Sequence, residues 1–279
     1  MKKTYSLHKI TNEINFTFCP SEYSKFKFGD KPLAIEFGRD LFKGFIQEFK
    51  EDILNNDVVV FPSPYMSIPT ASNFLARSFK EELDMFLYDH NLRSSSEGKI
   101  NRNQTFTEDY GNLSFEDRKK LIANDTYYLD KNLLEGKTCI FIDDVKITGS
   151  HEFTVEKILN EYGVNGNFIY VYYAELDNKD IDPKIENYFN YNQKLDAELF
   201  IDLINDTDIF VFNTRVIKYL LKLPSFEFES IVDGMTNERQ NEMKSYAISN
   251  NYHLIDEYKH NLKTLVEWQS IYRKESVKQ

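Results

Sequence analysis

Thr138-Cys139-Ile140-Phe141-Ile142-Asp143-Asp144-Val145-Lys146-Ile147-Thr148-Gly149-Ser150-His151 is the stretch that decides how this chain is read. An apolar run rich in β-branched and aromatic residues suits a parallel strand covered on both faces. The carboxyl end of such a strand is where open α/β sheets bind ligands. Two adjacent carboxylates follow, then a short turn centred on Thr148-Gly149, then a helix. Backbone N–H groups in a turn that opens a helix form a concave, positively polarised nest for an oxyanion, and Gly149 lets the main chain come close to it. Asp143 and Asp144 would repel that anion; they suit neutral hydroxyls or a hydrated divalent cation. A ligand that satisfies both halves carries phosphate at one end and a diol or metal beside it, as a sugar phosphate does. The competing reading is a strand that ends in an acidic, solvated loop.

Working outward, Val58-Val59-Val60-Phe61 reads as a second buried strand. It is followed by the loop Pro62-Ser63-Pro64-Tyr65-Met66-Ser67-Ile68-Pro69 and a helix with Phe74, Leu75, Phe79, Leu83 and Phe86 inward. That is most of a βαβ unit. Residues 35–54 place Phe37, Leu41, Phe45, Phe49 and Ile53 every four positions, a helix with one buried face. Residues 1 to about 35 read as short strands and turns. After the Asp-Asp strand come a helix over 152–162, a Gly163 stop and a Tyr-rich strand over 168–176. Repeated strand-helix-strand passes imply a parallel sheet with right-handed crossovers. Beyond about Asp180 the pattern is helical: 195–205, 208–223, and 236–272 with an interruption at Asn250-Asn251. The expected division is a 1–55 N-terminal extension (strands and one helix), a 56–180 α/β core, and a 181–279 helical C-terminal region, with no internal repeat.

Composition narrows the function classes. With 279 residues, 23 Phe and 18 Tyr, the chain can bury a substantial interior. A formal charge of −11 opposes a nucleic-acid surface. Cys19 and Cys139 give neither a disulfide framework nor a metal-ligand spacing, which suits a reducing compartment. No uncharged run reaches the length of a spanning helix, and the Met1-Lys2-Lys3 start lacks an apolar stretch behind it. The expectation is a soluble, cytoplasmic protein that contacts neither membrane nor nucleic acid. His8, His90, His151, His253 and His260 are scattered, and His151-Glu152 lacks the second His of a helical zinc motif. A receiver-type phosphoacceptor also has paired acids at a strand end. Here, however, about 140 residues precede the pair, and no matching Asp-plus-Lys arrangement is evident downstream.

The strand, the two acids and the Thr-x-Gly-type turn resemble the ribose-phosphate signature of type I phosphoribosyltransferases. The resemblance implies an α/β parallel-sheet phosphoribosyltransferase-like core and a reaction with phosphoribosyl pyrophosphate (PRPP). In it, ribose 5-phosphate passes to or from a nitrogenous base or similar acceptor with pyrophosphate exchange. It also implies that Asp143 and Asp144 take the ribose hydroxyls, and hold Mg²⁺ directly or through water. The turn Val145, Lys146, Ile147, Thr148, Gly149, Ser150 and His151 would hold the 5′-phosphate. Ile147 and His151 depart from the usual pattern, which removes one phosphate-binding hydroxyl and leaves Thr148, Ser150 and the backbone. By location, Ser63, Pro64, Tyr65 and Met66 stand where the family's pyrophosphate loop lies, though without its glycine; a plain connection fits them equally. Arg102, with Lys99 behind it, lies in the polar segment where a mobile basic lid belongs, and is equally consistent with a solvated surface. Residues 23–30, 99–102, 109–111, 147–152 and 213–219 resemble a narrower group, the phosphoribosyltransferase-like proteins encoded with bacterial tellurite-resistance and stress operons. Two function classes stay open at this point: a PRPP-dependent transferase, with a homodimer as a possible assembly, and a non-catalytic regulatory protein that binds PRPP or a nucleotide.

Overall fold

A computed structural model describes residues 2–102, 127–128, 130–192 and 197–276, with side chains for 2–100, 130–192 and 197–267. A five-stranded parallel sheet forms its centre. The strands are β1 (Lys2–Ile10), β2 (Val58–Pro62), β3 (Ser96–Glu97), β6 (Thr138–Lys146) and β7 (Asn167–Leu176), ordered β1-β7-β6-β2-β3 in space. Two short strands, β4 (Asn101–Arg102) and β5 (Tyr127–Tyr128), make a separate antiparallel ladder.

Alternation along the strands sends side chains to two different cores. Val58, Val60, Ile140, Ile142, Ile169, Val171 and Tyr173 face one side. There α2 (Lys31–Leu54) and α3 (Ala71–Asp89) pack with Phe45, Phe49, Leu75 and Phe79. Val59, Phe61, Cys139, Phe141, Tyr170 and Tyr172 face the other, against Val155, Ile158 and Leu159 of α5 (Ser150–Glu161). Phe61, Phe141 and Tyr170 lie opposite one another on three neighbouring strands, and their rings stack at 5.1 and 5.2 Å. Such cross-strand aromatic rows fix register, because a one-residue slip would turn every ring to the other face. Gly38 lets α2 and α3 touch: a Cβ there would stand 2.4 Å from the Leu75 carbonyl oxygen.

The first 55 residues contain one strand and two helices, not several short strands and one helix. β1 pairs with β7, and α1 (Pro20–Lys27) buries Tyr23, Ser24 and Phe26. This segment belongs to the same sheet and core. Asp30 caps α2, accepting from the Leu33 amide at 2.9 Å, with Pro32 in the first turn.

After α4 (Lys131–Leu134) and α6 (Ile185–Asn190), the chain continues into α7 (Ala197–Asn205), α8 (Thr214–Lys222), α9 (Ser225–Gly234), α10 (Asn237–Ser249) and α11 (Asp256–Ser276). These last five helices bury their own core around Phe200, Leu220, Phe228, Met243, Tyr252 and Tyr258. Phe28 and Ile68, from outside them, also lie in it. The helical C-terminal region expected from the sequence is present, though of what read as one segment over 208–223 only α8 is helix, preceded by a turn and a lone bridge of Phe210 to Asp30. Among the described residues no helix is long and apolar enough to cross a membrane.

Candidate functional site

β2 and β6 are neighbours, yet the helices that follow them leave toward opposite faces, α3 into one core and α5 into the other. A crevice opens where neighbouring strands diverge in this way, outside their carboxyl ends. Ser63 directly follows β2, and Asp143 and Asp144 stand near the end of β6. Gly149 takes φ +71°, ψ 11° and caps α5, whose first turn is Ser150, His151 and Glu152. In that left-handed conformation glycine is the residue without a steric penalty. The amides of the first turn have no intrahelical acceptor, so the chain presents donors and the positive end of the helix at the crevice. Thr148 and Ser150 join hydroxyls at 2.7 Å across the turn. A cavity of about 100 Å³ is lined by the stretch from Asp143 to Glu152 together with Tyr172 and Glu186.

Because strand side chains alternate, the two acids diverge. Asp143 shares its face with Phe141 and α5. Ser63 Oγ donates to its Oδ1 at 2.6 Å, and its own neighbour's amide, Asp144 N–H, reaches the same oxygen at 2.9 Å. His151 Nδ1 lies 2.8 Å from its Oδ2. Burial works against ionisation here, but the hydrogen bonds and charge of His151, with Ser63, outweigh it and hold the carboxyl well below its ordinary range. Asp144 turns to the other face, where Tyr23 OH donates to Oδ2 at 2.8 Å and Lys27 Nζ pairs with the same oxygen. At 5% exposure, burial pushes this carboxyl up against the pull of Lys27, and the charge on Asp143 adds to the rise. Burial, followed by the charge on Asp144, drives the Tyr23 hydroxyl well above its usual value, so it stays a donor.

Lys146 does not turn into the nest. Its Nζ lies 2.9 Å from Glu152 and 3.1 Å from Glu175. Glu152 also meets Lys2 at 2.5 Å and Tyr172 OH at 3.0 Å. Burial opposes ionisation of Glu152, yet Lys2 and Lys146 hold its carboxyl low. The acid in the first turn of α5 is therefore neutralised within the fold. His151 Nε2 is buried and has no hydrogen-bond partner among the described residues.

The β2–α3 loop is fixed from several sides. Ser72 Oγ donates to Ser63 Oγ at 2.7 Å, and Asn73 Nδ2 to the Ser63 carbonyl at 3.0 Å. Asn250, from the helical region, accepts from the amides of Ser67 at 2.9 Å and Ile68 at 3.1 Å. Thr214 Oγ1 donates to the Ile68 carbonyl at 2.9 Å. Lys99 reaches this same loop: its ammonium lies 4.0 Å from the Tyr65 ring centre and 3.4 Å from the Met66 carbonyl. Pro64 is carried between Ser63 and Tyr65. Arg102 has backbone paired with Tyr127; its side chain, and most of the polar segment read as a lid, lie outside the described residues.

A family model described as "PRTase ComF-like" matches residues 1–265. The chain belongs to this family. As a ComF-like phosphoribosyltransferase-type protein it has the parallel-sheet core that the Asp-Asp stretch implied. Similar solved structures include a hypoxanthine phosphoribosyltransferase from Staphylococcus aureus (12% identity, 51% of this chain and 74% of that one, TM-score 0.33). An adenine phosphoribosyltransferase from Saccharomyces cerevisiae is similar at 15% identity over 50% of this chain and 69% of that one, with TM-score 0.29. Likeness at this level leaves the family to rest on the sequence match. No curated protein matches the chain.

Several residues of the ComF-like site escape a reading by motif. Tyr23 and Lys27 have the i, i+4 spacing of one helix face, a signal hidden by reading their segment as strands and turns. Ser72 and Asn73 follow Thr70 in a capping box, N-cap chemistry that does not announce a second role. Glu186 carries no local signal, and Asn250 signals a helix break but not the loop it binds.

Proposed function

We propose that this protein binds PRPP in the β2–β6 crevice and exchanges pyrophosphate for a nitrogenous base at ribose C1′. The carrying observation is that the Gly149-capped α5 start, Asp143 and His151 line one cavity, with Ser63 hydrogen-bonded to Asp143. In this reading the turn from Val145 to His151 holds the 5′-phosphate through main-chain amides and the Thr148 and Ser150 hydroxyls. Asp143 and Asp144 accept from ribose hydroxyls, each kept in place by its own donors. As the C1′–O bond breaks, the electron pair leaves with pyrophosphate, and the incoming nitrogen forms the C1′–N bond and loses its N–H proton to solvent. Lys99, the Ser63–Met66 loop it reaches, and Arg102 are assigned to the charge that grows on the leaving pyrophosphate. Donors fixed before reaction stabilise that charge without reorganising.

Mg²⁺ is the ion the family resemblance implies. The donor set does not fit direct coordination by the two acids. Asp143 Oδ1 and Oδ2 and Asp144 Oδ2 already accept from Ser63, Asp144 N–H, His151, Tyr23 and Lys27. Nor does any group of three or more His, Cys, Asp or Glu gather for an ion among the described residues. The steps above draw on no metal held by these side chains.

A second reading, a regulatory protein that binds PRPP or a nucleotide without turnover, has one observation in its favour. The Ser67 and Ile68 amides, directly after the Ser63–Met66 stretch assigned to pyrophosphate, are already taken by Asn250. Isotope exchange between labelled pyrophosphate and PRPP, run with a panel of bases, separates the two. Exchange supports transfer. Binding of PRPP by calorimetry with no exchange for any base supports the regulatory reading, and no binding at all refutes both.

A further inference from the structure

We infer that Lys27 is a built-in counter-charge for Asp144, and that it lets this site bind the ribose 5-phosphate group without a divalent cation. The inference rests on the ribose-phosphate reading of the crevice. Lys27 Nζ pairs with Asp144 Oδ2, and both side chains are largely enclosed, at 12% and 7% exposure. Tyr23 OH reaches the same oxygen at 2.8 Å, and the Lys27 ammonium lies 5.7 Å from the Tyr23 ring centre. A cation so held is no casual surface pair. Tyr23 and Lys27 are one turn apart on α1, so one helix face delivers both donors.

The position of Lys27 is set by both halves of the molecule. Phe26 is buried in the sheet's core and Phe28 in the helical region's core, on either side of it. The Lys27 carbonyl accepts from Asn213 Nδ2 at 3.1 Å, and Asn213 is fully buried. The ammonium is therefore anchored where the two cores meet, against the acid that faces the crevice.

A dication bound to Asp144 Oδ2 would stand against this ammonium and repel it. With the ammonium in place, Asp144 is already compensated and its other oxygen remains an acceptor for a hydroxyl. Lys27 then acts as a positioning residue: its ion pair with Oδ2 holds the Asp144 carboxyl in place and balances its charge, the part a bound metal would otherwise play. Removing it leaves a buried, uncompensated carboxylate, which a small cation can satisfy in its place.

The test is calorimetric titration of the full chain with ribose 5-phosphate, once in EDTA and once in millimolar Mg²⁺. The wild-type protein is expected to bind equally in both. Lys27→Met is expected to bind at least about tenfold more weakly in EDTA and to recover in Mg²⁺. That exchange of metal dependence is a response that mere loosening of the fold would not give. Wild-type binding that requires Mg²⁺ overturns the inference while leaving the proposed function standing. So does a Lys27→Met protein that binds as wild type does in EDTA. Wild-type protein that binds in neither buffer refutes the proposed function and this inference with it. If Lys27→Met does not fold, as judged by thermal melting, the two wild-type titrations decide alone.

Discussion

Replacing Asn250 with alanine tests whether the helical region sets the shape of the β2–α3 loop. One side-chain oxygen, Asn250 Oδ1, accepts from two amides 183 and 182 residues away, those of Ser67 and Ile68. Ile68 is fully buried and Asn250 nearly so, so the Ile68 amide has no ready access to water once the acceptor is removed. A buried donor left unsatisfied costs about 1–3 kcal/mol. The Ser67 amide is only partly buried and should add about 0.5–1.5 kcal/mol. The expected loss is therefore about 1.5–4.5 kcal/mol, a large fraction of the roughly 5–15 kcal/mol by which domains are stable, yet short of unfolding the chain. Urea denaturation should show a lower midpoint with an unchanged slope. Hydrogen exchange should show the Ile68 amide losing protection ahead of the sheet. Asn250→Asp, which keeps the acceptor, should lose less. A stability change within about 0.5 kcal/mol for the alanine variant, with Ile68 still protected, would refute the claim that this contact ties loop to helices.

Gly149→Ala adds a Cβ that would meet only Lys146 Cε at 3.6 Å. Its expected cost of about 1–2 kcal/mol is thus that of a left-handed backbone alone; weaker ribose 5-phosphate binding by titration should accompany it, and an unchanged melting temperature would count against the assigned turn. Asp144→Asn keeps the side-chain shape while removing the charge that Lys27 compensates. It should weaken ribose 5-phosphate binding by at least about tenfold with the circular-dichroism spectrum intact, and full affinity would remove Asp144 from the site. Glu175 gives a pH dependence. Burial raises its carboxyl, but Lys9, Ser6 and Lys146 prevail and bring it from 4.5 down to about 2. Since the unfolded chain takes up this proton more readily, the stabilisation is complete above about pH 4.5 and is lost as pH falls toward 2. On the order of 2 kcal/mol should drain in that window after screening of the partly exposed partners, and Glu175→Gln should flatten the profile measured by denaturation.

What could be read from the chain depended on whether its cause was local. The run from Thr138 to Ile142 had to be a covered strand, and Gly149 ahead of an amphipathic segment had to open a helix; both hold, because each is decided by neighbours in sequence. α1 was hidden. Eight residues with Tyr23 and Phe26 have weak helix propensity, and the helix exists because these rings sink into the aromatic cluster of Phe18, Phe37 and Tyr173. Losing α1 from view also lost Tyr23 and Lys27. The more instructive case is the acid pair. As a motif, Asp143-Asp144 looks like one feature with one task. Strand geometry allows no such thing, since consecutive side chains leave by opposite faces. The structure accordingly equips each acid separately: Asp143 with Ser63 and His151 from the loop and helix on its side, Asp144 with Tyr23 and Lys27 from α1. Asn250 shows the same limit from the other end. Its place at a helix break was legible, with Asn251 at φ 58° just after it, but its partners lie in a loop that only the packing of two cores brings within reach. Periodicity reports which face of an element is buried. The crevice sits at the carboxyl end of the sheet, and its chemistry is set by contacts that no single stretch of sequence contains.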